Sequence, residues 1–82
     1  MKIWEFEARS FGDVLRELRE DMNLTQMELA KKCRGVAQST IKDYENANAL
    51  PTLRTLMELA RVLEVDEVRI DTSKGGFFHR WN

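Results

Sequence analysis

The chain has 82 residues, of which 43% are hydrophobic and 33% are charged, and its formal net charge is −1. A chain of this length supports one small domain with little room for a catalytic cleft, so the length and composition disfavour an enzyme. They also exclude a membrane protein, because no apolar run approaches the roughly 20 residues of a membrane span. The N-terminus MKIWEFEARS carries acids where a signal peptide would need a basic start and an unbroken apolar stretch. We therefore expect a cytoplasmic protein.

The first predicted helix runs from about Ser10 to Met22, with Ser10 as its N-cap and Asp13 as the acidic third residue of the helix. Its apolar residues recur at helical spacing: Phe11, Val14, Leu15, Leu18 and Met22. A second helix is predicted from Gln26 to Cys33, because Thr25 and Glu28 have the spacing of a capping box. We expect Leu29, Ala30 and Cys33 on its buried side.

Arg34 to Ala37 form the predicted link to a third helix, and Gly35 is suited to the positive φ that such a link requires. The third helix, at about residues 38–46, has a narrow apolar stripe at three-residue spacing: Ile41, Tyr44 and Ala47. Its remaining face presents hydrogen-bonding side chains together: Gln38, Ser39, Lys42 and Asp43. By itself this pattern is equally typical of an ordinary solvated helix face.

A fourth helix is predicted after Pro51, with Thr52 as its N-cap. Its apolar face comprises Leu53, Leu56, Met57, Ala60 and Leu63. The spacing then changes to alternation, with Val68, Ile70 and Thr72 on one side of a strand. The N-terminus alternates in the same way through Trp4, Phe6 and Ala8. Two short terminal strands are therefore expected, and they need other structure to pack on.

The distribution of charge and the content of cysteine and histidine limit the kinds of molecule that the protein can bind. Residues 22–54 carry five basic and three acidic side chains, so the middle of the chain is positive although the whole is not. The single cysteine, Cys33, and the single histidine, His79, lack the spacing of a zinc site, so no metal or other cofactor is predicted. Two helices joined by a short glycine-containing turn, the second with an outward polar face, have the pattern of a helix-turn-helix.

From Phe11 to Val65 the sequence resembles the Cro and repressor family of helix-turn-helix DNA-binding domains, also called the XRE family. The motifs that carry this resemblance are LTQ-x-ELA, V-x-x-STI, YEN, P-T-x-x-T-L and LA-x-x-L. The resemblance implies a compact all-α bundle of four to five helices, like that of lambda repressor. It also implies a regulator that binds double-stranded DNA with the third helix in the major groove.

The resemblance assigns roles residue by residue. The positions that read base edges in the family are here Gln38, Ser39, Lys42 and Asp43. The positions that approach the phosphate backbone are here Arg19, Gln26, Thr40, Asn46 and Asn48. Glu45 matches a glutamate that pairs with an arginine of the first helix, which is Arg19. For Arg19 the ion pair is favoured over direct contact with a base, although one side chain can do both.

Three departures from the family pattern affect binding. The turn is one residue longer because Arg34 and Gly35 occupy the place of one glycine. The capping position of the third helix holds Ala37, and the following loop reads Ala47-Asn48-Ala49 where a lysine or arginine is common. We expect modest affinity from one copy and a shallow salt dependence, and hence a homodimer that contacts two half-sites.

Five of the seven aromatic residues lie outside the predicted helices: Trp4, Phe6, Phe77, Phe78 and Trp81. Three interpretations remain open from the sequence. The aromatics pack on the chain's own helices, they form a dimer interface, or they recognise another molecule, such as a toxin partner or nucleic acid.

The predicted division of the chain is an N-terminal extension at residues 1–9, a helix-turn-helix domain at residues 10–65 and a C-terminal extension at residues 66–82. The predicted function is a sequence-specific DNA-binding transcriptional regulator. The alternative is an antitoxin-type interaction module, which binds a partner protein through its aromatic ends and regulates its own gene with the same helix-turn-helix.

Overall fold

The computed structural model describes residues 2–7, 10–72 and 75–80, and for residues 72 and 75–80 it describes the backbone. The helices are α1 (Phe11–Asp21), α2 (Gln26–Lys32), α3 (Gln38–Glu45) and α4 (Leu53–Val62). The strands are β1 (Ile3–Glu7), β2 (Glu67–Thr72) and β3 (Gly75–Arg80). The structure confirms the predicted helical bundle with its helix-turn-helix and its short terminal strands.

The three strands form one sheet in the order β1-β2-β3. β1 runs parallel to β2, with Trp4 opposite Val68 and Phe6 opposite Ile70, whereas β3 runs antiparallel to β2. The sequence did not predict β3, because two glycines at its start and adjacent aromatics leave no apolar-polar alternation. The third strand instead depends on backbone pairing with β2.

Aromatic rings from β1 and α1 join the sheet to the helices. The Trp4 ring lies 5.6 Å from that of Phe11, and Phe11 in turn lies 5.5 Å from Tyr44 of α3, measured between centroids. Trp4 is fully buried and Phe6 is 7% exposed. Of the three interpretations that the sequence left open, the structure supports packing on the chain's own core for Trp4 and Phe6, so neither side chain offers a surface to a partner protein. The predicted roles of the Phe77, Phe78 and Trp81 side chains lie outside the described residues.

Two of the predicted N-caps are confirmed and one is wrong. Thr25 and Glu28 form the reciprocal capping box, and Thr52 accepts a hydrogen bond from the backbone N–H of Thr55. Ser10 has φ −102° and ψ 7° and makes no capping hydrogen bond. An N-cap side chain reaches the first turn from an extended backbone, which Ser10 does not have.

Left-handed residues end three of the helices without glycine. Asn23, Ala47 and Glu64 have φ between 57° and 60°, and they follow α1, α3 and α4. After α3, Ala47 N–H donates to Tyr44 O and Asn48 N–H donates to Asp43 O, which is the paired arrangement of a Schellman motif. The predicted burial of Ala47 is wrong, since the residue lies past the end of α3 and is exposed.

The buried face of α4 is formed by Leu56, Leu59 and Ala60, and it continues through Val62 and Leu63. Leu53 has the spacing of this face but is 53% exposed, so its predicted place in the core is wrong. The reason is its position in the first turn of α4, where the core no longer covers the helix. The predicted apolar face of α4 is therefore buried in the middle of the helix, whereas its N-terminal end is exposed.

Candidate nucleic-acid interface

The third helix has one buried face and one polar face. Ile41 is fully buried and Tyr44 is 6% exposed, so these two side chains fix α3 against the core. The predicted base-reading residues are all exposed: Gln38, Ser39, Lys42 and Asp43. The structure therefore places these four residues together on the solvent-exposed side of a helix whose opposite side packs against the core.

Glu45, the last residue of α3, is the acceptor at which α1, α2 and α3 meet. Its side chain is fully enclosed, and Arg19 Nε donates to its Oε2 at 2.7 Å while Arg19 Nη2 donates to Oε1 at 3.0 Å. Gln26 Nε2 donates to the same Oε1 at 3.2 Å. One buried carboxylate thus ties the start of α2 and the last turn of α1 to the end of α3.

Arg16 adds a second cation that the sequence reasoning did not assign. Its Nε lies 3.2 Å from Glu45 Oε1, and its Nη2 donates to the Glu45 backbone carbonyl at 3.3 Å. The side chain of Arg16 is 43% exposed, against 11% for Arg19. The signal that could have revealed it is its position three residues before Arg19, on the same face of α1.

The hydrogen bonds among Glu45, Arg19, Gln26 and Arg16 determine whether the Glu45 carboxyl group is ionised. Burial by itself raises the pKa of Glu45, but hydrogen bonds from Arg19, Gln26 and Arg16 outweigh it, so the pKa is lowered from its ordinary value. The pKa of Arg19 is raised, chiefly by its hydrogen bond to Glu45. Glu45 is therefore ionised at neutral pH, and the cluster carries an excess of positive charge.

The helices α1 and α3 cross in close contact at Gly12. A Cβ atom on this residue would lie 2.2 Å from the backbone carbonyl oxygen of Tyr44 and 3.1 Å from the Cα of Glu45. Because the nearest atoms belong to the backbone of α3, no side-chain rotation can make room. The sequence reasoning missed this residue, and a glycine in the first turn of an amphipathic helix was its only signal.

The predicted phosphate-contacting residues differ in how freely they can reach a ligand. Asn46 and Asn48 are exposed, whereas Thr40 and Gln26 are half-buried. Arg19 also donates through Nη1 to Leu24 O at 2.7 Å, so all three of its nitrogens are engaged within the protein. Its geometry favours the ion pair with Glu45 over a role at the DNA surface.

The longer turn before α3 is supported by α4. Gly35 has φ 73°, and the backbone N–H of Arg34 donates to Glu58 Oε2 at 2.6 Å. Arg61 holds both carboxylate oxygens of Glu58, with Nη2 at 2.7 Å and Nε at 3.0 Å. Hydrogen bonds from the Arg61 side chain and from the Arg34 backbone lower the pKa of Glu58 to about 2. Neither Glu58 nor Arg61 was singled out from the sequence, because the contacts that join this local i,i+3 pair to the turn and to the end of α2 span 24 and 29 positions along the chain.

Cys33 lies in the core beside this turn and is 8% exposed. Burial, together with the charge of Glu58, raises the pKa of its thiol to about 11, so the nucleophilic thiolate is scarce at neutral pH. In the part of the chain that the structure describes, no cluster of histidine, cysteine and acidic residues could hold a metal ion. Nor does any described helix have the length and hydropathy to cross a membrane.

Comparison with known proteins relates the chain to an antitoxin and to a phage control protein. Over 58 residues the chain is 41% identical to antitoxin HigA1 of Mycobacterium tuberculosis, a match that covers 71% of this chain and 38% of the antitoxin. It is 28% identical over 60 residues to the ImmF control region 10 kDa protein of Bacillus phage phi105, covering 73% of this chain and 66% of that protein. The chain thus spans less than two thirds of the length of these curated relatives. No solved structure matches it significantly.

The family model described as helix-turn-helix matches residues 15–70, which include all of α2, the turn, α3 and α4. This range covers more than half of the chain and contains the exposed face of α3. Members of this family are DNA-binding regulators and antitoxins rather than enzymes. The chain belongs to the helix-turn-helix family of the Cro/repressor, or XRE, type.

Proposed function

We propose that this protein is a transcriptional regulator that binds a specific sequence of double-stranded DNA with α3 in the major groove. The observation that carries the proposal is the exposed group of Gln38, Ser39, Lys42 and Asp43 on a helix whose opposite face is buried. A recognition helix must be held rigidly while its outer side chains remain free. Both conditions are met in α3.

The side chains of this group match the edges of base pairs. Glutamine can bond adenine N6 and N7 with its two ends, and lysine can donate to guanine O6 and N7. Asp43 can accept from cytosine N4, and Ser39 can serve either partner. We assign base reading to these four residues and backbone positioning to Gln26, Thr40, Asn46 and Asn48, with Arg19 acting mainly through its ion pair.

A homodimer completes the proposal. The loop after α3 presents Asn46, Ala47 and Asn48 and no cation, so one copy neutralises few phosphates there. Two copies that contact half-sites about one helical turn of DNA apart would double the contacts. A DNA-binding function of this kind implies a cytoplasmic location. We take residues 10–65 as the DNA-binding domain.

Substitution of the reading residues tests the proposal. We expect Gln38→Ala and Lys42→Ala each to lower the preference for a selected sequence over random DNA by about 1–3 kcal/mol, because each removes a base contact. Gln26→Ala is the matched control, since loss of a phosphate contact weakens all sequences alike. The measurement is fluorescence anisotropy with a 24-base-pair duplex selected from a random pool. Equal losses on selected and random duplexes for all three variants would overturn direct reading by α3.

The similarity to antitoxin HigA1 favours a second candidate function, in which the chain also binds a toxin protein. The buried Trp4 and Phe6 do not supply that surface in the folded chain. Co-purification with the products of adjacent genes tests this candidate. Its absence would leave the DNA-binding proposal in place, because that proposal rests on the exposed face of α3 and not on a partner protein.

A further inference from the structure

An arginine-lined groove lies between the turn before α3 and α4, and it runs along the length of that helix. It has a volume of about 850 Å³, and its walls include Arg34 and Gly35 of the turn and Thr52, Arg54, Glu58 and Arg61 at or within α4. Arg34 and Arg54 are exposed. Among the described residues, no carboxylate pairs with the side chain of either arginine.

The charge balance inside the groove is positive. Among the described residues of its walls Glu58 is the only acid, and its carboxylate is already bonded to the Arg61 side chain and to the Arg34 backbone N–H. Arg34 interacts with the Glu58 carboxylate only through longer-range charge attraction, so within the described part of the chain neither the Arg34 nor the Arg54 guanidinium forms an ion pair, in a chain whose formal net charge is −1. Two unpaired guanidinium groups in one groove have the chemistry of a phosphate-binding surface.

The position of the groove indicates which phosphate it would take. One wall is the turn before α3, in which Arg34 lies four residues before Gln38. The other wall begins at Thr52, just beyond the loop that follows α3. The groove therefore borders the segments on either side of the reading face. When a helix lies in the major groove, which is about 12 Å wide, the protein segments at its two ends lie close to the phosphate strands.

We infer that Arg34 and Arg54 bind the DNA backbone and supply the phosphate contacts that the uncharged loop after α3 lacks. The inference rests on the proposed DNA binding and extends it to a surface outside the recognition helix. The additional residue of the turn then has a function, because it carries one of the two cations. Glu58 and Arg61 hold this turn against α4 and so fix the place of Arg34.

Salt dependence gives a direct test, since the logarithm of the binding constant falls with the logarithm of salt concentration by about 0.9 for each phosphate neutralised on B-DNA. We expect Arg34→Gln and Arg54→Gln each to reduce this slope by about 0.9 per bound subunit, and the double variant by about twice as much. The decrease should be the same for a selected duplex and a random duplex. Arg34→Lys and Arg54→Lys should restore most of the slope, because they retain the charge.

Lys2→Gln is the matched control, since it removes one positive charge just before β1, outside the groove. An unchanged slope in the Arg34→Gln and Arg54→Gln variants would overturn the inference, and so would an equal decrease in Lys2→Gln. If the wild-type protein shows no salt-dependent binding to either duplex, the proposed function itself fails. Circular dichroism of each variant verifies that the comparison is made between folded proteins.

Discussion

Replacement of Gly12 by alanine is expected to reduce the free energy of unfolding by about 3 kcal/mol, near the upper end of the usual cost of overpacking. The added Cβ would lie 2.2 Å from the carbonyl oxygen of Tyr44, so α1 and α3 must separate for the atom to fit. That separation also disturbs Glu45, whose Cα is 3.1 Å from the same Cβ. Urea denaturation monitored by tryptophan fluorescence measures the change, and DNA affinity should fall with it.

Gly35→Ala provides the matched control for this experiment. It adds the same methyl group where nothing lies within 4 Å, although the φ of 73° is unfavourable for alanine. The expected cost is about 1–2 kcal/mol and comes from the backbone conformation alone. If Gly12→Ala were no more harmful than Gly35→Ala, the close packing of α1 on α3 would not be the feature that holds the recognition helix.

Glu45→Gln is expected to cost about 3 kcal/mol, because it leaves the enclosed guanidinium of Arg19 without a negative partner. The Arg19 side chain is only 11% exposed, so water cannot replace the lost charge efficiently. Recognition should suffer as well, since the same carboxylate joins α1 and α2 to the end of α3. Chemical denaturation of the wild type, both single variants and the double variant Arg19→Met/Glu45→Gln measures the coupling energy.

Two comparisons make this prediction specific. Arg16→Ala removes a partner of the same carboxylate that is 43% exposed, and it should cost no more than about 1 kcal/mol. The pKa of Glu45 is lowered in the folded protein, so its contribution to stability is present above the ordinary value of 4.5 and is lost as the pH falls below it. Glu45→Gln should therefore weaken the acid dependence of stability. An unchanged acid dependence together with a small loss at neutral pH would contradict the role assigned to Glu45.

Local chemistry made much of the fold predictable from the sequence. The caps at Thr25 and Thr52 depend on side chains within three residues, and both are present in the structure. The reading face of α3 was predictable because helical spacing separates Ile41 and Tyr44 from Lys42 and Asp43. The pairing of Arg19 with Glu45 came from the family resemblance, since no local rule joins residues on different helices.

The features that escaped prediction depend on contacts between distant segments. Leu53 satisfies the helical spacing of α4 but lies beyond the part of the helix that the core covers, and spacing cannot report where a neighbour ends. Trp4 and Phe6 were equally compatible with an interface and with a core until the register with Val68 and Ile70 was known. The link from Glu58 to Arg34 joins residues 24 positions apart and had no sequence signature.

The parallel pairing of β1 with β2 has a consequence for the time course of folding. Its partners, such as Trp4 and Val68, come from opposite ends of the described chain, so this contact closes a long loop. During synthesis, which adds about 5–20 residues per second, α1 to α3 emerge while the strand that completes the sheet has not yet been made. The hydrophobic surface of Trp4 and Phe6 must remain unsatisfied by β2 for that interval, and the last part of the core to form includes the first strand synthesised.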